Sequence, residues 1–234
     1  MSKPELQKAE IIKYISETKD THTLRLKLSK PFKWKPGQFA MVQAMINGES
    51  IRRAYSIASS PERDYLEITV RQTEAPTMSK YLNERAVGDI LNVKGPYGRF
   101  IMDETRPVFC IAAGSGITPF RGMLEYCIDK NLDIPFKLLY SCRYGDNVIY
   151  EKELPELIKQ YKHADYELSI TRGKMGLDYV REGRINADYL KEQIPGFEKG
   201  KFYLCGAPGF INAMIDNLLS IGIPREEIKR EQWG

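Results

Sequence analysis

Histidine is nearly absent from this chain of 234 residues: there are two, His22 and His163, far apart in sequence. Two isolated imidazoles give no basis for a metal centre, nor for a histidine-based catalytic triad. The four cysteines, Cys110, Cys127, Cys142 and Cys205, include no Cys-x-x-Cys pair. That spacing argues against zinc and against a cysteine-ligated iron–sulfur cluster. In a reducing compartment such thiols are expected to stay reduced and mostly buried. No apolar run approaches the roughly 20 residues that cross a bilayer, so no integral membrane association is expected. The start, Met1-Ser2-Lys3-Pro4-Glu5, leads into charged sequence with no apolar signal core, which makes the cytoplasm the default expectation. Internal repeats and low-complexity tracts are missing too.

Charge is present but modest. The net charge is +4, and residues 1–40 carry nine Lys/Arg against four Asp/Glu. Such a bias suits a face for an acidic partner protein, although solvated lysines on strand edges account for it equally well. Without a recognition motif it does not support nucleic-acid binding.

The chain has two textures. Up to about residue 103, short strand-like runs alternate with turns. Leu24–Leu28, Phe39–Ala44, Tyr65–Gln72 and Ile90–Val93 read as strands, separated by Pro36-Gly37, Asn47-Gly48, Val87-Gly88 and Gly95-Pro96. Ser79–Arg85 is the one expected helix of this half, with Ser79 as its N-cap. An antiparallel β-barrel is the expected fold of residues 1–103. From residue 104 onward, strands expected at 108–113, 137–141, 166–171 and 201–205 alternate with helices at 119–130, 151–162, 187–193 and 210–221. That order implies an α/β domain with a doubly wound parallel sheet. The polar stretch Met102–Arg106 is the expected linker.

Three stretches carry chemistry. Arg53-Ala54-Tyr55-Ser56-Ile57-Ala58-Ser59-Ser60 reads as a strand that sends Arg53, Tyr55 and Ile57 to one face and Ala54, Ser56 and Ala58 to the other. A guanidinium and an aromatic ring on one face suit a flat, anionic ligand. Gly114-Ser115-Gly116-Ile117-Thr118-Pro119 joins the first parallel strand to a helix, where glycine backbone and free N–H groups can hold a pyrophosphate. Thr118 suits the N-cap and Pro119 the first helical position. The third, Cys205-Gly206-Ala207-Pro208-Gly209, ends the last expected parallel strand, where ligands of open α/β sheets gather. Arg143 and Arg172 follow the second and third parallel strands, and Arg184 lies further on. Arginines at neighbouring strand ends suit an adenosine 2′-phosphate, which favours NADP over NAD.

In this order, these stretches resemble the ferredoxin–NADP reductase family, as do Lys35–Phe39, Met78–Leu82 and Gly95–Phe100. The resemblance runs from about residue 7 to the C-terminus. It implies FAD in the barrel and NADP(H) on the α/β domain, NAD(H) being the weaker expectation. Hydride would pass between nicotinamide and flavin, and single electrons to or from a carrier protein, ferredoxin or flavodoxin. Arg53 would pair with the flavin pyrophosphate, Tyr55 would pack on the ring, and Ser56 would hydrogen-bond near its N5. Ala54, Thr69, Val70, Met78 and Ser79 belong to the same implied flavin site. Gly114, Gly116, Thr118 and Pro119 would hold the nucleotide pyrophosphate, with Arg143, Thr171, Arg172 and Arg184 on its adenosine side. Cys205 and Gly206 would lie beside the nicotinamide, Trp233 would cover the flavin, and Glu231 would join Ser56 and Cys205 in the chemistry. The alternative keeps the fold but makes the chain an electron-transfer subunit of an oxygenase, hydrogenase or dihydroorotate dehydrogenase assembly, possibly linked to NADH.

Overall fold

The structure is a computed structural model that describes residues 4–72, 78–173, 175 and 180–232. Its first half contains strands β1 (Leu6–Thr18), β2 (Thr21–Leu28), β3 (Phe39–Ile46), β4 (Glu49–Ser56), β5 (Leu66–Arg71) and β6 (Ile90–Tyr97), with helix α1 (Met78–Asn83). These strands form one antiparallel sheet in the order β4-β3-β6-β1-β2-β5. An antiparallel bridge between Ile57 and Ile68 joins the two edges just past the end of β4, which gives the sheet its barrel form. Alternation explains why β2 belongs here. Leu24 and Leu26 are fully buried in the barrel core, whereas Arg25 between them is only partly covered.

The second half contains β7 (Val108–Ala113), α2 (Thr118–Asp129), β8 (Phe136–Cys142), α3 (Glu153–Gln160), β9 (Ala164–Ile170), β10 (Val180–Glu182), α4 (Ala187–Gln193), β11 (Lys201–Gly206), α5 (Pro208–Ser220) and β12 (Ile228–Gln232). The strands form a parallel sheet in the order β10-β9-β8-β7-β11-β12. All of β8 is buried and β7 nearly so, as strands covered by helices on both faces must be. Two apolar clusters fill the two sides, one around Phe120, Phe136 and Tyr140, the other around Phe109, Leu190 and Leu218. No helix among the described residues is long and apolar enough to cross a membrane.

Several details differ from the sequence expectations. Ser79 is not the N-cap of α1, because the helix already includes Met78. Thr118 does not cap α2 either. The chain enters through a 3-10 turn over Gly114–Ile117, so Thr118 is already helical, and its hydroxyl donates back to the Ser115 carbonyl at 2.8 Å. The expected linker, Met102–Arg106, is packed against the second half. Met102 is buried in the core of the second half, and the Asp103 N–H donates to the Tyr203 hydroxyl at 2.8 Å. Strands β1, β10 and β12 are additions to the expected elements. β1 buries only Ala9 and Ile11 along its thirteen residues, and β12 only Ile228, so neither carries a strong apolar signal.

Candidate active site

Strand β4 delivers the Arg53–Ser56 run to the junction of the two halves. Tyr55 lies opposite Ala40 of β3 and packs its half-buried ring on the barrel core, with Ile51 and Ile57 of the same parity. Burial pushes its phenol above the ordinary tyrosine range despite the nearby Arg53. Arg53 is exposed, and its guanidinium donates to the Arg52 carbonyl at 2.8 Å. Among the described residues it pairs with no carboxylate, which leaves its charge available to an anionic ligand. Ala54 is half-buried beside it.

Ser56 has the opposite parity and is buried against the last strand. Its hydroxyl donates to Glu231 Oε2 at 3.2 Å, joining β4 to β12. Burial pushes the Glu231 carboxyl up to about 7, and the bond from Ser56 pulls against that rise. At neutral pH this carboxyl is poised between its two protonation states. Trp233 lies outside the described residues.

The other barrel positions take different places. Thr69 is buried and shares hydrogen bonds with the hydroxyls of Thr23, at 2.8 Å, and Tyr150. Val70 is fully buried in the barrel core. Met78 is buried at the start of α1, and Ser79 is half-buried in its first turn.

A cleft of about 1220 Å³ opens at the carboxyl end of the parallel sheet. Gly114, Gly116, Arg143, Thr171, Arg172, Arg184 and Gly206 all line it. Backbone pairing continues past the ends of β8 and β9, where the Arg172 N–H donates to the Arg143 carbonyl at 2.7 Å. That bond places the two arginines side by side. Gly114 has φ +54°, and a Cβ there would meet only Arg71 Nη1, at 3.9 Å, so its backbone faces open space. Gly116 is held by packing: a Cβ would stand 2.2 Å from the Cys205 carbonyl oxygen. Thr118 and Pro119 are buried in the first turn of α2 and do not line the cleft. Cys205 is also fully buried. Its side chain joins the core around Cys110 and Tyr203, and it is the backbone of Cys205 that supports the glycine turn.

Residues of the barrel complete the cleft. Lys19, Asp20 and Arg71 line it, and sequence reading singled out none of them. Arg71 Nε donates to Asp20 Oδ2 at 3.0 Å. Burial works against the Asp20 carboxylate, but hydrogen bonds from Thr18, Thr21 and Arg71 outweigh it and hold its pKa below the ordinary value. Asp146 also lines the cleft. Among the described residues, five Lys/Arg against two Asp make the lining basic, which suits a phosphate-bearing ligand.

The donor set fits both groups that the motifs imply. Arg53, with no carboxylate partner among the described residues, beside a half-buried aromatic suits a flavin nucleotide, and a basic cleft with an open glycine turn suits a pyridine dinucleotide. These features define a class: a reductase built from a flavin-binding barrel and a nucleotide-binding α/β domain. Residues 8–102 match the family model described as Oxidoreductase FAD-binding domain, and residues 110–216 that described as Oxidoreductase NAD-binding domain. The chain belongs to the ferredoxin–NADP reductase-like family of flavoprotein reductases.

Its relatives are diverse. It is 28% identical over 236 residues to a flavohemoprotein of Oceanobacillus iheyensis, a match covering 96% of this chain and 58% of the relative. It is also 28% identical over 205 residues to the ferredoxin–NAD(P)(+) reductase component of naphthalene 1,2-dioxygenase/salicylate 5-hydroxylase systems of a Ralstonia species. That match covers 86% of this chain and 60% of the relative. The chain thus spans about three fifths of these proteins. Among solved structures, the flavohem-like FAD/NAD-binding domain of nitric oxide dioxygenase from Vibrio cholerae superposes with a TM-score of 0.88 at 25% identity. It covers 97% of this chain and 98% of that one.

Proposed function

We propose that this protein is an FAD-dependent NADP(H) oxidoreductase that exchanges single electrons with a carrier protein of the ferredoxin or flavodoxin type. One observation supports this reading above the others: the basic cleft takes its walls from both halves of the molecule. A nucleotide lying along it reaches from Arg143, Arg172 and Arg184 to the glycine turn, with Arg71 and Lys19 on the barrel side.

FAD, when bound, supplies the hydride acceptor and converts a two-electron donor into single-electron steps. The protein's part is binding, orientation and proton control. Arg53 offers its charge to the flavin pyrophosphate, and Tyr55 offers its ring to the isoalloxazine. Ser56 holds a hydroxyl near the reacting edge, and Glu231, its carboxyl raised to about 7, takes up or releases a proton beside it. The Gly114–Gly116 backbone takes the nucleotide pyrophosphate, and the arginines take the 2′-phosphate. Cys205 acts through its backbone, as the support of the Gly116 turn.

The test is carrier reduction. FAD-loaded protein supplied with NADPH should reduce added ferredoxin or flavodoxin at a rate that rises with carrier concentration. Bleaching of the flavin without transfer to either carrier would contradict the carrier assignment. It would favour the second reading, an electron-transfer subunit of a larger assembly, to which the reductase component from Ralstonia points.

A further inference from the structure

Arg121 lies in the first turn of α2, outside the cleft lining, and among the described residues it is the most heavily bonded buried cation. Its side chain is 4% exposed. Nη1 donates to the Ala58 carbonyl at 2.8 Å, to Glu67 Oε2 at 2.5 Å and to Glu125 Oε2 at 3.4 Å. Nη2 and Nε donate to the two carboxylate oxygens of Glu153 at 2.6 and 3.3 Å. Ala58 and Glu67 belong to the barrel; Glu125 and Glu153 belong to the nucleotide-binding half. Glu67 is in turn held by Arg25 at 2.8 Å, and Glu125 accepts the Ser60 N–H at 2.7 Å.

The neighbouring residue closes the same contact sterically. A Cβ on Gly122 would stand 2.9 Å from the Ile57 carbonyl oxygen and 3.0 Å from the Ala58 carbonyl carbon. Helix α2 therefore lies directly on the backbone that leaves the Arg53–Ser56 strand. The first turn of this helix continues from the Gly114–Ile117 turn that lines the cleft. One rigid element thus connects the nucleotide turn to the flavin strand.

We infer that Arg121 is a positioning residue: its fork, with the close approach at Gly122, fixes the distance between the nucleotide turn at 114–117 and the strand carrying Tyr55 and Ser56. The inference rests on the proposed hydride exchange. It deepens that reading by naming what sets the alignment of the two rings. A bidentate guanidinium grips several oxygens in fixed directions, which an ammonium cannot do. Arg121→Lys therefore keeps the buried charge while releasing the geometry. Misalignment by about 1 Å lowers a transfer step by as much as about a hundredfold without removing binding.

The experiment compares wild type, Arg121→Lys and Gly122→Ala, all loaded with FAD. Single-turnover flavin reduction at saturating NADPH should slow at least about tenfold in a variant, with NADPH affinity and FAD retention changed much less. Reoxidation by ferricyanide of chemically reduced protein should be unchanged, since that step does not use the alignment. A readout independent of turnover is hydrogen exchange across residues 57–60. Adding NADP+ should slow it in wild type and lose that effect in the variants. Should Arg121→Lys fail to fold, Gly122→Ala carries the test. Wild-type reduction rates with intact exchange coupling would overturn the inference, as would equal loss of rate, affinity and melting temperature. Failure of wild type to be reduced by NADPH or NADH would instead overturn the proposed function.

Discussion

Ser56 and Glu231, separated by 175 positions, meet through a 3.2 Å hydrogen bond from the serine hydroxyl to the carboxyl Oε2. The contact ties β4 of the barrel to β12, the edge strand of the parallel sheet. The proposed chemistry is therefore built at a junction, and neither half holds it alone.

On the proposed reading, the hydroxyl of Ser56 acts at the reacting edge rather than on nucleotide affinity. Ser56→Ala should slow flavin reduction more than it weakens NADPH binding, measured by single-turnover kinetics across NADPH concentrations. It also removes the bond that lowers the Glu231 pKa. Any pH dependence of reduction set by this carboxyl should accordingly move upward in the variant. Equal losses in rate and binding would remove Ser56 from the transfer step.

Glu231 should leave a pH signature in stability. Its carboxyl is raised from 4.5 to about 7 in the folded protein. The unfolded chain therefore releases this proton at lower pH than the folded one. The stability it contributes is complete below 4.5 and is lost as pH rises through about 7. Glu231→Gln cannot ionise, so its melting temperature should gain on wild type across that window. A difference that stays constant with pH would show that Glu231 does not titrate there.

Phosphate recognition should reside in the paired strand ends. Charge-assisted hydrogen bonds contribute about 1.5–3 kcal/mol each, so Arg143→Ala or Arg172→Ala should raise the KM for NADPH about tenfold or more. The KM for NADH should stay close to wild type in both variants. Parallel increases for the two nucleotides would place these arginines elsewhere on the ligand.

Two glycines lining the cleft should respond differently to alanine. In Gly116→Ala the new Cβ meets the Cys205 carbonyl oxygen at 2.2 Å. Overpacking of this kind costs about 1–3 kcal/mol or more, and the nucleotide turn should lose affinity with it. Gly209 also lines the cleft, but a Cβ there has nothing within 4 Å. Gly209→Ala should fold as well as wild type. Thermal melting of the pair decides whether Gly116 is fixed by packing.

Much of this was legible in the sequence because burial writes a pattern. β7 and β8 are covered on both faces and read as apolar runs, and β2 alternates because one face is inside. Turn chemistry marked Gly114–Pro119, and strand-end logic put Arg143 and Arg172 in one place, where a backbone hydrogen bond now joins them. What stayed hidden depends on contacts made across the molecule. Arg71 and Lys19 reach the cleft from the barrel, and nothing in their local sequence points there. The edge strand β12 is too polar to declare itself, with Lys229, Arg230 and Glu231 in a row. Cys205 sits where its motif suggests along the chain, but its side chain turns into the core.

The most direct test of the account is an anaerobic titration of the FAD-loaded protein with NADPH and NADH in parallel, followed by flavin absorbance. The account predicts bleaching by NADPH at far lower concentration than by NADH. Equal response to both would remove the phosphate site from the cleft, and no bleaching by either would contradict the reductase itself.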